Sequence, residues 1–154
     1  MTDTDHVSGS WVAYGAALWA LIFAVLHIVW AAGWYVGLRA EDARKAFDRP
    51  WFLAYDLVVA AICVLAVPVA LALVRPWGRR LPRWLVGSLA WGGTGLLVLR
   101  GGGSVVQVLY MVAKGTFVAR PMDLWEVWFY VGAVLFGLST WRFWTAQPRS
   151  SVAA

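Results

Sequence analysis

Cysteine, histidine and charge are all scarce in this chain. Among 154 residues there is one cysteine, Cys63, and there are two histidines, His6 and His27. One cysteine excludes an internal disulfide and a C-x-x-C redox pair, which argues against a thiol enzyme of the quinone-reducing kind. Cys63 sits inside an apolar run and reads as a small packing residue. Charged residues make up 14% of the chain and hydrophobic ones 62%, against about a quarter and about a half in soluble domains. A soluble protein this short cannot hide so much apolar surface in one core. The shortage of charge therefore excludes a soluble domain, a disordered tail and a secreted disulfide module. It leaves a small integral membrane protein.

What is present agrees with that. Mean hydropathy is +0.69, and four apolar runs are separated by short polar connections. The pattern predicts an all-α bundle of four transmembrane helices, a multi-pass protein of the cell membrane. Residues 1–10 are expected to form a polar tail, 11–146 the membrane domain and 147–154 a disordered tail. The spans are expected at about 11–33, 51–74, 84–113 and 122–144, each long enough to cross about 30 Å of hydrocarbon. The start of the chain carries Asp3 and Asp5 but no Lys or Arg. It lacks the positive start of a secretory signal, so the first run is expected to stay as a span. Residues 38–50 read as a polar loop with one surface helical turn. Pro68 predicts a kink in the second span. The third span is overlong, which predicts tilt or a break. Its Gly101-Gly102-Gly103 run either loosens the helix or admits a close neighbour.

The net charge is +5. The basic residues lie between apolar runs, so they read as loop charge facing anionic headgroups, with no nucleic-acid partner. Lys and Arg tie at six on each side of the membrane. Four arginines packed into the connection from Arg75 to Arg83 favour both termini in the cytoplasm. Nine of the twelve tryptophans lie near span ends, as in an interfacial aromatic belt. Trp19, Trp30 and Trp91 lie deeper and read as packing or as pocket lining.

Ionisable groups inside spans are costly and mark candidate sites. Four stand out: His27, Asp56, Arg100 and Glu126. From helix rise, His27 lies about 9 Å, Asp56 about 8 Å and Glu126 about 6 Å from the same membrane surface. On the third span Tyr110, Gln107 and Arg100 lie about 5, 9 and 20 Å deep. Every helix thus contributes a polar side chain to one leaflet. Glu126, Asp56 and His27 are the acid–base candidates, because a shared proton suits catalysis or proton coupling. Arg100, Trp30, Gln107, Tyr110, Trp125 and Trp128 are the ligand-binding candidates, with cation–π contact available to Arg100. Arg100 is expected to pair with Asp56 or Glu126.

Plainer readings stand beside these. Asp56 and Glu126 also fit a headgroup-facing position, His27 a core histidine bonded to a carbonyl, and Gln107 and Tyr110 interhelical glue. His27, Asp56 and Glu126 could supply three zinc ligands, but their spacing is not specific. Neither a metal nor a cofactor is expected, and no nucleotide or nucleophile motif occurs.

Two stretches resemble the DUF3995 family. His27-Ile28-Val29-Trp30-Ala31-Ala32-Gly33 is similar to its H-x-x-W-A-x-G signature, and Leu99-Arg100-Gly101-Gly102 to its L-R-x-x-G stretch. The start of span four, Pro121 to Leu124, fits as well. The usual glycine pair after the tryptophan is here Ala32-Gly33, and the run after Arg100 is richer in glycine. The resemblance covers most of the chain. It implies a small four-span membrane protein of a kind common in actinobacteria, and it carries over no catalytic residue.

Three functions are consistent with these residues. The first is a polar intramembrane pocket in one leaflet, binding or acting by acid–base chemistry on a small apolar or lipid-like molecule. The second is an accessory subunit or homo-oligomer whose polar layer only locks helices. The third is a small proton-coupled transporter, although the first span lacks the deep glutamate that small multidrug exporters use.

Overall fold

A computed structural model describes the backbone of residues 4–116 and 123–146, and the side chains of residues 10–116 and 127–146. Among the described residues all the regular structure is helical. The order is α1 (Thr4–Ala31), α2 (Ala40–Phe47), α3 (Pro50–Ala72), a 3-10 turn (Pro76–Arg80), α4 (Arg83–Ala113) and α5 (Asp123–Thr145). Three stretches are long and apolar enough to cross a membrane: Ser10–Ala31, Pro50–Ala72 and Arg83–Ala113. α5 is a fourth long helix, of 23 residues.

The packing of α1 explains why its sequence shows no polar face. Ala13, Ala16, Ala20, Phe23, Ala24, His27 and Trp30 are buried, at spacings of three and four. Leu18, Leu21, Ile22, Val25 and Ile28 lie exposed on the opposite side. In a membrane both sides are apolar and the distinction is one of size. Small residues let the neighbouring backbone come close, while bulky aliphatics face outward. On α3, Asp56, Ala60, Cys63 and Ala70 are buried at matching intervals, so α1 and α3 form a closely packed antiparallel hairpin.

α4 and α5 form the second hairpin, with a heptad register. Gly87 lies under the ring of Trp144, Thr94 touches Gly137, and Gly101 lies under Tyr130. Each step is seven residues forward on α4 and seven back on α5. A Cβ on Gly101 would come within 2.9 Å of the Tyr130 ring, whereas Gly102 and Gly103 face open space. The Tyr130 hydroxyl donates to the Gly101 carbonyl at 2.8 Å. Gly101 therefore serves a close approach, and α4 runs through all three glycines unbroken. The hairpins meet where α1 crosses α5. There the Trp19 indole N–H donates to the Trp128 carbonyl at 2.9 Å, and its ring fills the space a Cβ on Gly132 would need.

Other elements differ from expectation in detail. α1 starts at Thr4, within the stretch expected to be a tail. α2 completes two turns instead of one. Glu41 and Asp42 stand in its first turn and Arg44 and Lys45 in its last, each sign favourable at its own end of the helix dipole. Phe47 anchors α2 by ring contacts to Tyr35 at 5.3 Å and Phe52 at 5.0 Å. α3 continues through Pro68 to Ala72. In the 3-10 turn Gly78 is seated so closely on the end of α3 that a Cβ would overlap the Ala72 carbonyl. The tail expected over 147–154 lies outside the described residues.

Candidate functional site

The end of α1 sets the site. Gly33 takes φ +89°, a left-handed conformation that glycine adopts without a Cβ clash. The Gly33 N–H donates to the Trp30 carbonyl and the Trp34 N–H to the Val29 carbonyl. These two bonds make a Schellman cap that stops the helix and turns the chain. The Trp30 indole N–H then donates to the Val36 carbonyl at 2.9 Å, tying the outgoing loop to the helix. The H-x-x-W-A-x-G stretch thus has a physical division of labour: glycine for the cap, tryptophan for the loop, and histidine facing inward.

His27 meets Asp56 of α3. Nδ1 of His27 lies 2.6 Å from Oδ1 of Asp56, and the two residues are 7% and 3% exposed. An ionised carboxylate only accepts, so His27 is then the donor through Nδ1. The ring is walled by Phe23, centroids 4.6 Å apart at 80°, and by Trp30, 4.9 Å apart at 74°. Two atoms of the dyad are left over. Nε2 of His27 and Oδ2 of Asp56 are buried with no hydrogen-bond partner among the described residues. The half-buried Trp128 on α5 contributes a third such atom, its indole Nε1.

An aromatic path leads on from the dyad. Phe23 touches Phe129 of α5 edge to face at 5.3 Å, and the guanidinium of Arg100 lies over Phe129 at 4.6 Å. Arg100 Nη1 donates to the Ser104 hydroxyl at 2.7 Å. Asp56 is therefore held by His27 and not by Arg100. The expected pairing of Arg100 with Asp56 does not form, because about 20 Å against about 8 Å of depth is more than the side chain spans. Arg100 is exposed, as are Gln107 and Tyr110. Tyr110 is 64% exposed, with the Lys114 ammonium over its ring at 5.8 Å. The structure thus brings His27, Asp56 and Trp30 together, places Trp128 against Trp19 at 6.0 Å, and turns Gln107 and Tyr110 outward. Glu126 and Trp125 belong to the first turn of α5, and their side chains lie outside the described residues. Among the described residues no three of His, Cys, Asp and Glu gather as metal ligands.

Sequence reasoning misses Phe23, Phe129 and Ser104. Phe23 and Ser104 each lie four residues from a candidate on the same helix, so helical spacing alone could have found them. Phe129 comes from a distant helix and leaves no local signal.

These features define an all-helical protein with three membrane-length apolar helices, a fourth long helix and a buried imidazole–carboxylate pair between two of them. The family described as "Protein of unknown function (DUF3995)" matches residues 20–136, a span that holds the dyad and the contact of Gly101 with Tyr130. The chain belongs to that family. No curated protein and no solved structure matches it.

Proposed function

We propose that this is a four-span protein of the cell membrane with both termini in the cytoplasm. Its outer leaflet holds a polar site, built on His27 and Asp56, that binds or acts by acid–base chemistry on a small apolar or lipid-like molecule. The observation that carries the reading is the buried dyad with two polar atoms left over. A buried polar atom without a partner costs about 1–3 kcal/mol, and a ligand that meets it recovers that cost. The dyad also has the arrangement of a general base: the carboxylate fixes tautomer and ring orientation, and Nε2 is the nitrogen left to take or give a proton. Arg100, over Phe129, contributes a cation at the far end of the aromatic path. Four spans are supported by α5, whose heptad register against α4 lays it alongside a membrane-length helix.

The dyad joins α1 to α3, and this favours one second reading, a helix lock in a non-catalytic subunit. Purification of the wild type and a His27→Phe/Asp56→Leu variant in mild detergent separates the two, with bound apolar molecules read by mass spectrometry. The first reading expects a stoichiometric molecule in the wild type that the variant lacks. Identical lipid content in both leaves only the lock.

A further inference from the structure

The atoms left over on the dyad narrow the chemistry of the ligand, and this step rests on the reading just given. With the Asp56 carboxylate ionised, His27 is the donor and its Nδ1 proton goes to Asp56 Oδ1. Oδ2 of Asp56 then remains as an acceptor, since a carboxylate offers nothing else. Nε2 of His27 is an acceptor when the ring is neutral and a donor when it is charged. Both atoms are buried without a partner among the described residues, and the ring between them is walled by Phe23 and Trp30.

Candidate polar groups can be tried against these atoms in turn. An ether, ester or ketone oxygen only accepts, so it offers Oδ2 nothing. An ammonium donates, but brings a full charge into an apolar surround and repels a charged ring. A hydroxyl has one proton, which it can donate to Oδ2 in either state of the ring or to Nε2 of the neutral ring, and its lone pairs can accept from Nε2 of the charged ring. It carries no net charge. Aliphatic and aromatic faces of the helices are compatible with an apolar remainder. We propose that the dyad binds the hydroxyl group of an otherwise apolar alcohol, with that hydroxyl as hydrogen-bond donor.

The chain has two histidines, which makes the test direct. A His6→Gln variant leaves His27 as the sole imidazole, and it assigns the corresponding signal in the wild type should the variant fold poorly. The full chain is labelled with 15N-histidine and placed in phosphatidylcholine nanodiscs, whose headgroup has no hydroxyl or N–H. It is titrated with 1-dodecanol, its methyl ether and dodecylamine while the Nε2 resonance is followed. The alcohol is expected to move that resonance saturably, at about one tenth of the concentration the ether needs, the ratio one net hydrogen bond supports. Equal response to alcohol and ether overturns the hydroxyl assignment while leaving an apolar site in place. A response to the amine alone overturns it in favour of a cationic donor. No response to any of the three removes both the assignment and the site beneath it.

Discussion

At the scale of single residues, the dyad places an imidazole and a carboxylate in a buried, largely apolar surround. Removing one partner strands the other in an apolar surround. His27→Phe or Asp56→Leu alone is expected to lower stability by about 3 kcal/mol or more. The double variant is expected to lose less than either single one, because no buried polar atom of the pair then remains. Unfolding in detergent micelles checks this, and strictly additive losses would mean the two side chains are not coupled. The Trp19 contact yields a second expectation. Its ring is held by the bond to the Trp128 carbonyl, and a Cβ on Gly132 would lie 2.5 Å from it. Gly132→Ala should cost about 1–3 kcal/mol in the same assay. Helix rise alone made the matching depth of His27 and Asp56 legible, but not their pairing, because Arg100 was expected as the partner of an acid. The Ser104 and Phe129 contacts of Arg100 were not legible either, because only acids were weighed as its partners; of those, Asp56 is held by His27 and the Glu126 side chain lies outside the described residues. The structure gives Arg100 a hydroxyl one turn along its own helix and the face of a phenylalanine from another.

At the scale of elements, adjacent glycines on α4 have opposite roles. Gly101 lies under Tyr130, while Gly102 has nothing within 4 Å. Gly101→Ala is expected to destabilise by about 1–3 kcal/mol. Gly102→Ala should be neutral or stabilising by up to about 1 kcal/mol, since alanine is the better helix former. Parallel melting curves of the two variants check the register, and equal effects would contradict it. The long helices were legible from length and hydropathy. Which side of each helix faces its neighbours was not, because lipid and protein interior are both apolar and the usual alternation is missing. The α4 positions 87, 94 and 101 acquire meaning only beside 144, 137 and 130, a pairing that no local pattern announces. α2 was underestimated for a different reason. Its acidic start and basic end support a helix and its apolar residues recur at helical spacing, but the stretch is short and those residues are mostly alanine.

At the scale of the whole molecule, α1 is the most buried of the three membrane-length helices and α4 the least. The proposed orientation can be tested with the protein's single cysteine removed. In a Cys63→Ser background, Arg44→Cys on α2 should react with a membrane-impermeant maleimide in intact cells. Arg79→Cys in the 3-10 turn should react only after permeabilisation. The reverse pattern inverts the protein, and labelling of both from one side contradicts a crossing by α3. A further consequence follows from length. α4 has 31 residues and α3 and α5 have 23 each, a difference of about 12 Å of rise. No one acyl-chain length suits α3 and α4 both upright. A bilayer of short-chain lipids that fits α3 makes α4 slant or stand proud of the surface, and longer chains draw it toward the normal. Lipid thickness thus acts on this protein through one rod more than the others, and α5, seated along that rod at every seventh residue, leans with it.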